Sequence, residues 1–312
     1  MHTGGHFVPE PMTLLSLRAG GKAALARALA RIEQAPDSAE VVDLLSDAYA
    51  APTAQVVGMT GPPGVGKSTL MNALIQAWRA SGQRVACIAV DPSSRRSGGA
   101  LLGDRTRLST DPEDQGIFVR SMAARDRLGG LAGLTISAMV LMRALYDVVL
   151  IETVGVGQSE TEVVGVADTV LFCVQPGSGD SLQFMKAGIA EIPHVVVVTK
   201  ADMGPPARRA RADVKGALSL AEEPGGWAIP VLMVAAMEKR GIDDLVAAID
   251  AHALYLRDGG RLAAARRAQA GQWLVEAVRE RFGREGVRRA GDLSLATNES
   301  PFRRLAELAQ RL

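Results

Sequence analysis

Lysine is scarce in this chain. Six of the 35 basic residues are lysines, at positions 22, 67, 186, 200, 215 and 239, against 29 arginines. Cysteine is scarcer still: Cys87 and Cys173 each sit inside an apolar, strand-like run, which offers neither a disulfide framework nor a thiolate pair for a metal. The four histidines, at 2, 6, 194 and 252, have no metal-like spacing. Net charge is also missing; at +1 it gives no electrostatic reason to expect nucleic acid or an anionic membrane as partner. The longest apolar region, Leu134 to Ile151, is interrupted by Arg143 and Asp147 and does not read as a membrane span. No basic-then-apolar leader opens the chain, so a cytoplasmic location is expected. What is present, 47% hydrophobic and 22% charged residues over 312 positions, describes a globular protein with one sizeable core and room for extensions.

Two of the six lysines fall within the most informative stretches. The first follows an apolar run, Val56 to Met59, as Gly61-Pro62-Pro63-Gly64-Val65-Gly66-Lys67-Ser68-Thr69, and a helical pattern continues through Leu70, Leu74 and Trp78. Between a strand and a helix, this spacing makes a phosphate cradle. The glycines let backbone N–H groups turn inward around an anion, and the helix N-terminus adds its partial positive charge. Lys67 reaches the β- and γ-phosphates, and Ser68 offers its hydroxyl to Mg²⁺. A nucleoside triphosphate is the ligand this predicts.

Strand-like runs at Val56–Met59, Val85–Val90, Ile117–Val119, Val148–Ile151, Thr169–Val174, Val195–Val198 and Pro230–Val234 alternate with helical patterns. That order predicts an α/β fold, a doubly wound and largely parallel sheet. The short return from the cradle helix to Val85 is a βαβ crossover, which brings Asp91 back to the edge of the sheet that carries the cradle. Residues 1–52 read as an N-terminal helical extension with helices around Lys22–Glu33 and Val41–Ala48. Residues 53–252 form the nucleotide-binding domain, and residues 253–312 a C-terminal helical arm of short helices. In that arm Leu274, Val278 and Phe282 make one stripe, and Ser300-Pro301 caps a last helix.

Further chemistry clusters where strands end. Asp91, fixed at a strand end, is a candidate to hold Mg²⁺ or its waters. Asp104 lies in the glycine-bearing loop that follows, with Arg105 and Arg107 for phosphate charge. Asp147-Val-Val-Leu-Ile-Glu152-Thr-Val-Gly155 runs apolar residues up to a carboxylate and then a glycine. This layout places Glu152 near Mg²⁺ and the Gly155 N–H near the γ-phosphate. No glutamine directly follows Gly155, and Gln158 is the candidate for positioning water. Thr199-Lys200-Ala-Asp202 follows another strand. An Asp there accepts hydrogen bonds from guanine N1 and N2, for which adenine has no matching donors, and the Lys200 stem can lie over the base. Ala235-Ala236-Met237 follows the last strand, where a backbone N–H can meet guanine O6.

These motifs, together with Asp91-Pro-Ser-Ser, Ser97–Leu108, Arg125–Gly130, Glu152–Glu160 and Pro176–Lys186, resemble the P-loop GTPases associated with methylmalonyl-CoA mutase, the ArgK/MeaB group. The likeness covers roughly Leu14 to Asp250. It implies a homodimeric, slow, Mg²⁺-dependent GTPase that binds GTP and GDP and acts as chaperone to an adenosylcobalamin-dependent acyl-CoA mutase. In that family the GTPase gates cofactor loading and protects the mutase, which itself holds the cobalamin. It also makes the C-terminal helices a dimer arm. The chain departs from the family at Thr199 (usually Asn), Ser181 (usually Glu) and Ala187 (usually Lys). Two other classes fit the cradle: a kinase passing on the γ-phosphate, for which no acceptor pocket or base is evident, and a nickel-enzyme maturation GTPase, for which no Cys/His cluster is found.

Overall fold

A computed structural model describes residues 12–91, 111–123, 133–153, 163–177, 192–219 and 226–312, with the side chains of residues 91 and 123 excepted. Two helices come first. Thr13 caps α1 (Leu14–Gln34), accepting from the Ser16 N–H at 3.2 Å, and the helix kinks at Gly21, whose φ of 56° only glycine adopts freely. Ser38 caps α2 (Ala39–Ala50). The chain then alternates through β1 (Gln55–Thr60), α3 (Lys67–Ala80), β2 (Val85–Asp91), β3 (Ile117–Ala123), α4 (Gly133–Leu145), β4 (Val148–Glu152), β5 (Thr169–Val174), β6 (Val195–Val198), α5 (Pro205–Leu218), β7 (Val231–Met233) and α6 (Ile242–Arg257).

The seven strands form one parallel sheet in the order β3-β2-β4-β1-β5-β6-β7. Strands buried on both faces need apolar residues at every position, and the Val-rich runs supply them. Val57, Met59, Leu150, Leu171 and Cys173 share one apolar layer with Leu70, Leu74 and Trp78 of α3 and Leu245 and Ile249 of α6. Val56, Ile88, Val149, Ile151 and Val170 share the other with α4, and this layer continues into Leu25, Leu29, Ile32, Leu44 and Leu45 of α1 and α2. The N-terminal helices are thus part of the main core rather than an appendage to it. β1 is central, with β4 on one side and β5 on the other, so the carboxyl ends of these three strands meet beside the loop that leaves β1.

The last C-terminal helix is short, as the sequence suggested, but the one before it is not. α7 runs Arg261–Ala290, 30 residues, and breaks helical geometry at Gly283 with φ of 69°. Its polar faces and its glycines obscured its length. α8 (Pro301–Ala309) is capped by Ser300, with Pro301 in its first turn. Leu274 and Val278 are fully buried against Leu293, Leu305 and Leu308 of the same chain. Ser300 shares a 2.8 Å hydrogen bond with Ser46 of α2, and Arg303 pairs with Asp43 at 2.9 Å. Farther along, Arg266 forms a two-pronged bridge to the buried Asp168, which also accepts the Val56 N–H at 2.8 Å. A chain boundary drawn at 252 falls inside α6.

At the amino-terminal edge of the sheet, away from the cradle, His194 and His252 stack with centroids 4.3 Å apart beside Trp227. The His194 Nδ1 accepts the Val170 N–H at 2.9 Å, a bond that only the neutral ring can make. Burial lowers the pKa of His194 to about 4 and, with the repulsion of His194, that of His252 to about 3. Unfolded, both titrate near 6.5. Above that value they leave stability unaffected. As pH falls from about 6.5 toward 4, the unfolded chain takes up protons that the folded chain refuses, and stability drops by up to roughly 1.4 kcal/mol per pH unit per histidine. Urea melts at pH 7.5 and 5.5 are expected to show this loss, and His252→Gln is expected to reduce it. An equal pH slope in both proteins would contradict the assignment.

Candidate nucleotide-binding site

The loop leaving β1 takes conformations that its glycines make possible. Gly61 has φ of 138°, and a Cβ there would lie 2.3 Å from the Cys173 carbonyl oxygen of β5. Gly66, at φ of 101°, turns the chain into α3. Pro62 and Val65 are buried, whereas Pro63, Gly64 and Thr69 face outward. α3 thereby presents its N-terminal N–H groups and its partial positive charge to the concavity above β1.

Lys67 is buried, at 6% exposure, and its ammonium donates to the Gly61 carbonyl at 2.7 Å and the Pro62 carbonyl at 3.1 Å. The charge is therefore held inside the loop, at the place where phosphate oxygens are expected. Ser68, one residue on, donates its hydroxyl to Glu152 Oε1 at 2.9 Å. Glu152 ends β4 opposite Met59 of β1, so the sheet register itself brings the carboxylate to the first turn of α3. A hydroxyl and a carboxylate at this separation are hard oxygen donors of the kind Mg²⁺ takes in phosphate sites. The Cys173 thiol reports on both charges: burial pushes it up to about 12, with Lys67 pulling down and Glu152 pushing up.

Thr199 and Lys200 connect this cradle to the next strands. The Thr199 hydroxyl lies 2.7 Å from the Val65 carbonyl and 3.0 Å from the Val174 carbonyl, buried at 5% exposure. A threonine thus ties the loop to the end of β5. Lys200, with φ of 51°, donates to the Gly64 carbonyl at 3.1 Å and to Gln175 Oε1 at 2.6 Å. Its stem consequently crosses the mouth of the cradle. Asp202 is exposed on the adjacent short turn, Ala201–Met203, which is joined to the end of β7 by the Ala201 N–H donating to Val234. Of the three residues beyond β7, Ala235 has its N–H committed to the Arg240 carbonyl at 3.1 Å, so the O6 contact expected there falls to Ala236 or Met237. Met237 is 86% exposed.

Asp91 ends β2, paired with Ala123 of β3, at the same sheet edge. Asp104, Gly155 and Gln158 lie outside the described residues, as do Ser181, Ala187 and all of the stretches at 97–108, 125–130, 154–160 and 178–186. Gln175 escaped the sequence reading. Its signal was its place directly after β5, whose carboxyl end flanks the cradle.

Replacing Thr199 with Val keeps the volume and removes the hydroxyl. The Val65 carbonyl then loses its hydroxyl donor while the Val174 carbonyl keeps the Thr199 N–H at 2.9 Å, a loss of roughly 1–3 kcal/mol in stability, readable by urea denaturation. An unchanged midpoint would show that the bridge contributes nothing.

Comparison with known proteins agrees with this geometry. The family model described as Methylmalonyl Co-A mutase-associated GTPase MeaB matches residues 25–289. A putative GTPase of Pyrococcus horikoshii is 41% identical over 261 residues, covering 80% of each chain. The GTPase ArgK of Escherichia coli is 38% identical over 272 residues, covering 85% of this chain and 82% of that one. A crystal structure titled LAO/AO transport system kinase superposes with a TM-score of 0.68 at 29% identity, covering 95% of this chain and 96% of the other. With the cradle, the seven-stranded parallel sheet and the extent of these matches in agreement, the chain belongs to the MeaB family of P-loop GTPases.

Proposed function

We propose that this protein is a Mg²⁺-dependent, GTP-hydrolysing switch that serves as chaperone to an adenosylcobalamin-dependent acyl-CoA mutase, methylmalonyl-CoA mutase first among them. The observation that carries the nucleotide chemistry is the meeting of Lys67, Ser68 and Glu152 beside the turn that bears Lys200 and Asp202. The mutase comes from the family's description.

In this reading Lys67 leaves its loop carbonyls for the β- and γ-phosphate oxygens and balances the charge that develops on transfer. Ser68 and Glu152, with Asp91 and Asp104, would hold Mg²⁺, which would supply neutralisation of phosphate charge. The Gly61–Thr69 backbone fixes the phosphates, and the Gly155 N–H meets the γ-phosphate. Gln158 orients water. Asp202 selects guanine, and Thr199 anchors the cradle against β5. Nucleotide state then biases the partner by a coupling free energy that is typically ~1–3 kcal/mol. Two copies associate through the C-terminal helices, and the protein works in the cytoplasm. No helix among the described residues is long and apolar enough to cross a membrane. The kinase named in the structural neighbour's title keeps one competing reading in view: γ-phosphate transfer to an acceptor other than water.

Capture from the native host with GDP-loaded and GTP-analogue-loaded protein, followed by phosphate-release assays with the recovered partner, tests the proposal. A cobalamin enzyme is expected in one nucleotide state over the other, with a changed hydrolysis rate. Recovery of no such enzyme, with no effect of added mutases, would defeat the chaperone reading. Label from γ-³²P-GTP appearing on a protein or small molecule rather than as free phosphate would favour the kinase.

A further inference from the structure

Arg143, near the end of α4, is 3% exposed and forms no ion pair with a carboxylate among the described residues. Its Nε has no hydrogen-bond partner. Its guanidinium carbon lies 5.8 Å from the ring centroid of Tyr49, at the outer limit of a cation–π contact. The nearby carboxylate, Asp168, is taken up by Arg266, whose Nε and Nη2 donate to it at 2.8 and 2.6 Å while Nη2 also donates to the Ala54 carbonyl at 2.8 Å. Two guanidinium groups and one carboxylate leave one positive charge over. Burial and the Arg266 charge lower the Arg143 pKa only to about 10, so the group stays protonated at neutral pH. Unpaired buried charge is costly, and native interiors pair it or place an ion beside it.

A cavity of about 20 Å³ opens beside this group, lined by Arg143, Tyr49, Met139, Gln269, Trp273 and Phe302 among others. Space for one water needs roughly 10–15 Å³, so the cavity has room for a small monatomic ion. Its walls are mostly apolar. Both donors of the Gln269 amide are already spent on the Val164 and Ala167 carbonyls, at 2.8 Å each. A water there would leave the surplus charge standing. A weakly hydrated monovalent anion suits both the charge and the walls.

We propose that this cavity is a halide site, with chloride held by the Arg143 guanidinium between α2, α4 and α7. The site is remote from the nucleotide cradle, and the proposal stands apart from the reading of function above. An anion bound only by the folded chain raises its stability by mass action. Thermal melts of the native protein in sodium chloride and in sodium gluconate at equal ionic strength test this. Weakly hydrated halides otherwise stabilise proteins less than strongly hydrated anions do, so a higher melting temperature in chloride runs against the general salt trend and marks specific binding. The expected rise is roughly 2–4 °C for each tenfold increase of chloride beyond saturation, reproduced by bromide and abolished in Arg143→Met. Equal or lower melting in chloride than in gluconate for the native protein would overturn the proposal. Should Arg143→Met fail to fold, bromide-soaked crystals of the native protein decide: an anomalous peak beside the Arg143 guanidinium supports the site, and its absence with bromide bound elsewhere removes it.

Discussion

Lys67→Ala is expected to abolish GTP turnover, with hydrolysis falling by about 10²–10³-fold or more, the usual cost of losing one preorganised charge donor in a reaction site. The ammonium is buried and already within 3.1 Å of two carbonyls of the cradle, so it needs little rearrangement to meet phosphate oxygens. Removing it also leaves the phosphate charge uncompensated in the ground state, and GTP affinity should weaken together with the rate. Glu152→Ala should suppress turnover by a comparable factor through a different route. It removes the carboxylate that accepts from Ser68, so the Mg²⁺ requirement of the residual activity should shift to higher concentration. Phosphate release under single-turnover conditions, with Mg²⁺ titrated, separates the two effects. The native protein alone should turn over far below the typical enzyme rate of around ten per second. A Lys67→Ala protein within twofold of native turnover would remove the cradle from the chemistry.

The second large effect concerns the base. Charge-assisted hydrogen bonds from guanine to Asp202 are worth roughly 1.5–3 kcal/mol each, so losing one should weaken GTP about ten- to hundredfold. Asp202→Asn exchanges an acceptor for a donor at this point and should transfer preference to xanthine nucleotides, whose edge carries the complementary oxygen. The exposed position of Asp202 on its short turn makes the substitution safe for folding. Calorimetric titration with GTP, XTP and ATP reads the result. Equal affinity of the native protein for ATP and GTP would show that Asp202 does not select the base.

Local structure was legible in the sequence wherever a residue's conformation is set by its immediate neighbours. The glycines of the cradle, the acid ending β4 and the Asp202 turn each announce themselves within a few positions, because a positive φ or a strand end constrains residue type there. The strand runs were legible too, since a sheet covered on both faces admits little but apolar residues. Strand order was not: nothing in Val148–Glu152 says that it inserts between β1 and β2. Long-range polar pairs were equally hidden. Arg266 meets Asp168 across 98 positions, and Thr199 reaches Val65 across 134. The length of α7 escaped because its polar majority and Gly283 mimic a series of short helices. The buried charge of Arg143 looked, in sequence, like a mere interruption of an apolar run.

The proposed linkage between nucleotide state and a mutase is reciprocal: a partner that prefers one nucleotide form must change nucleotide affinity by the same factor. The most direct measurement is therefore the affinity of GDP and of a non-hydrolysable GTP analogue for this protein, with and without saturating methylmalonyl-CoA mutase from the same host. The ratio of the two affinities is expected to shift by about 5–150-fold, the span of typical coupling energies. A ratio unchanged by the mutase, with the protein binding both nucleotides normally, would contradict it.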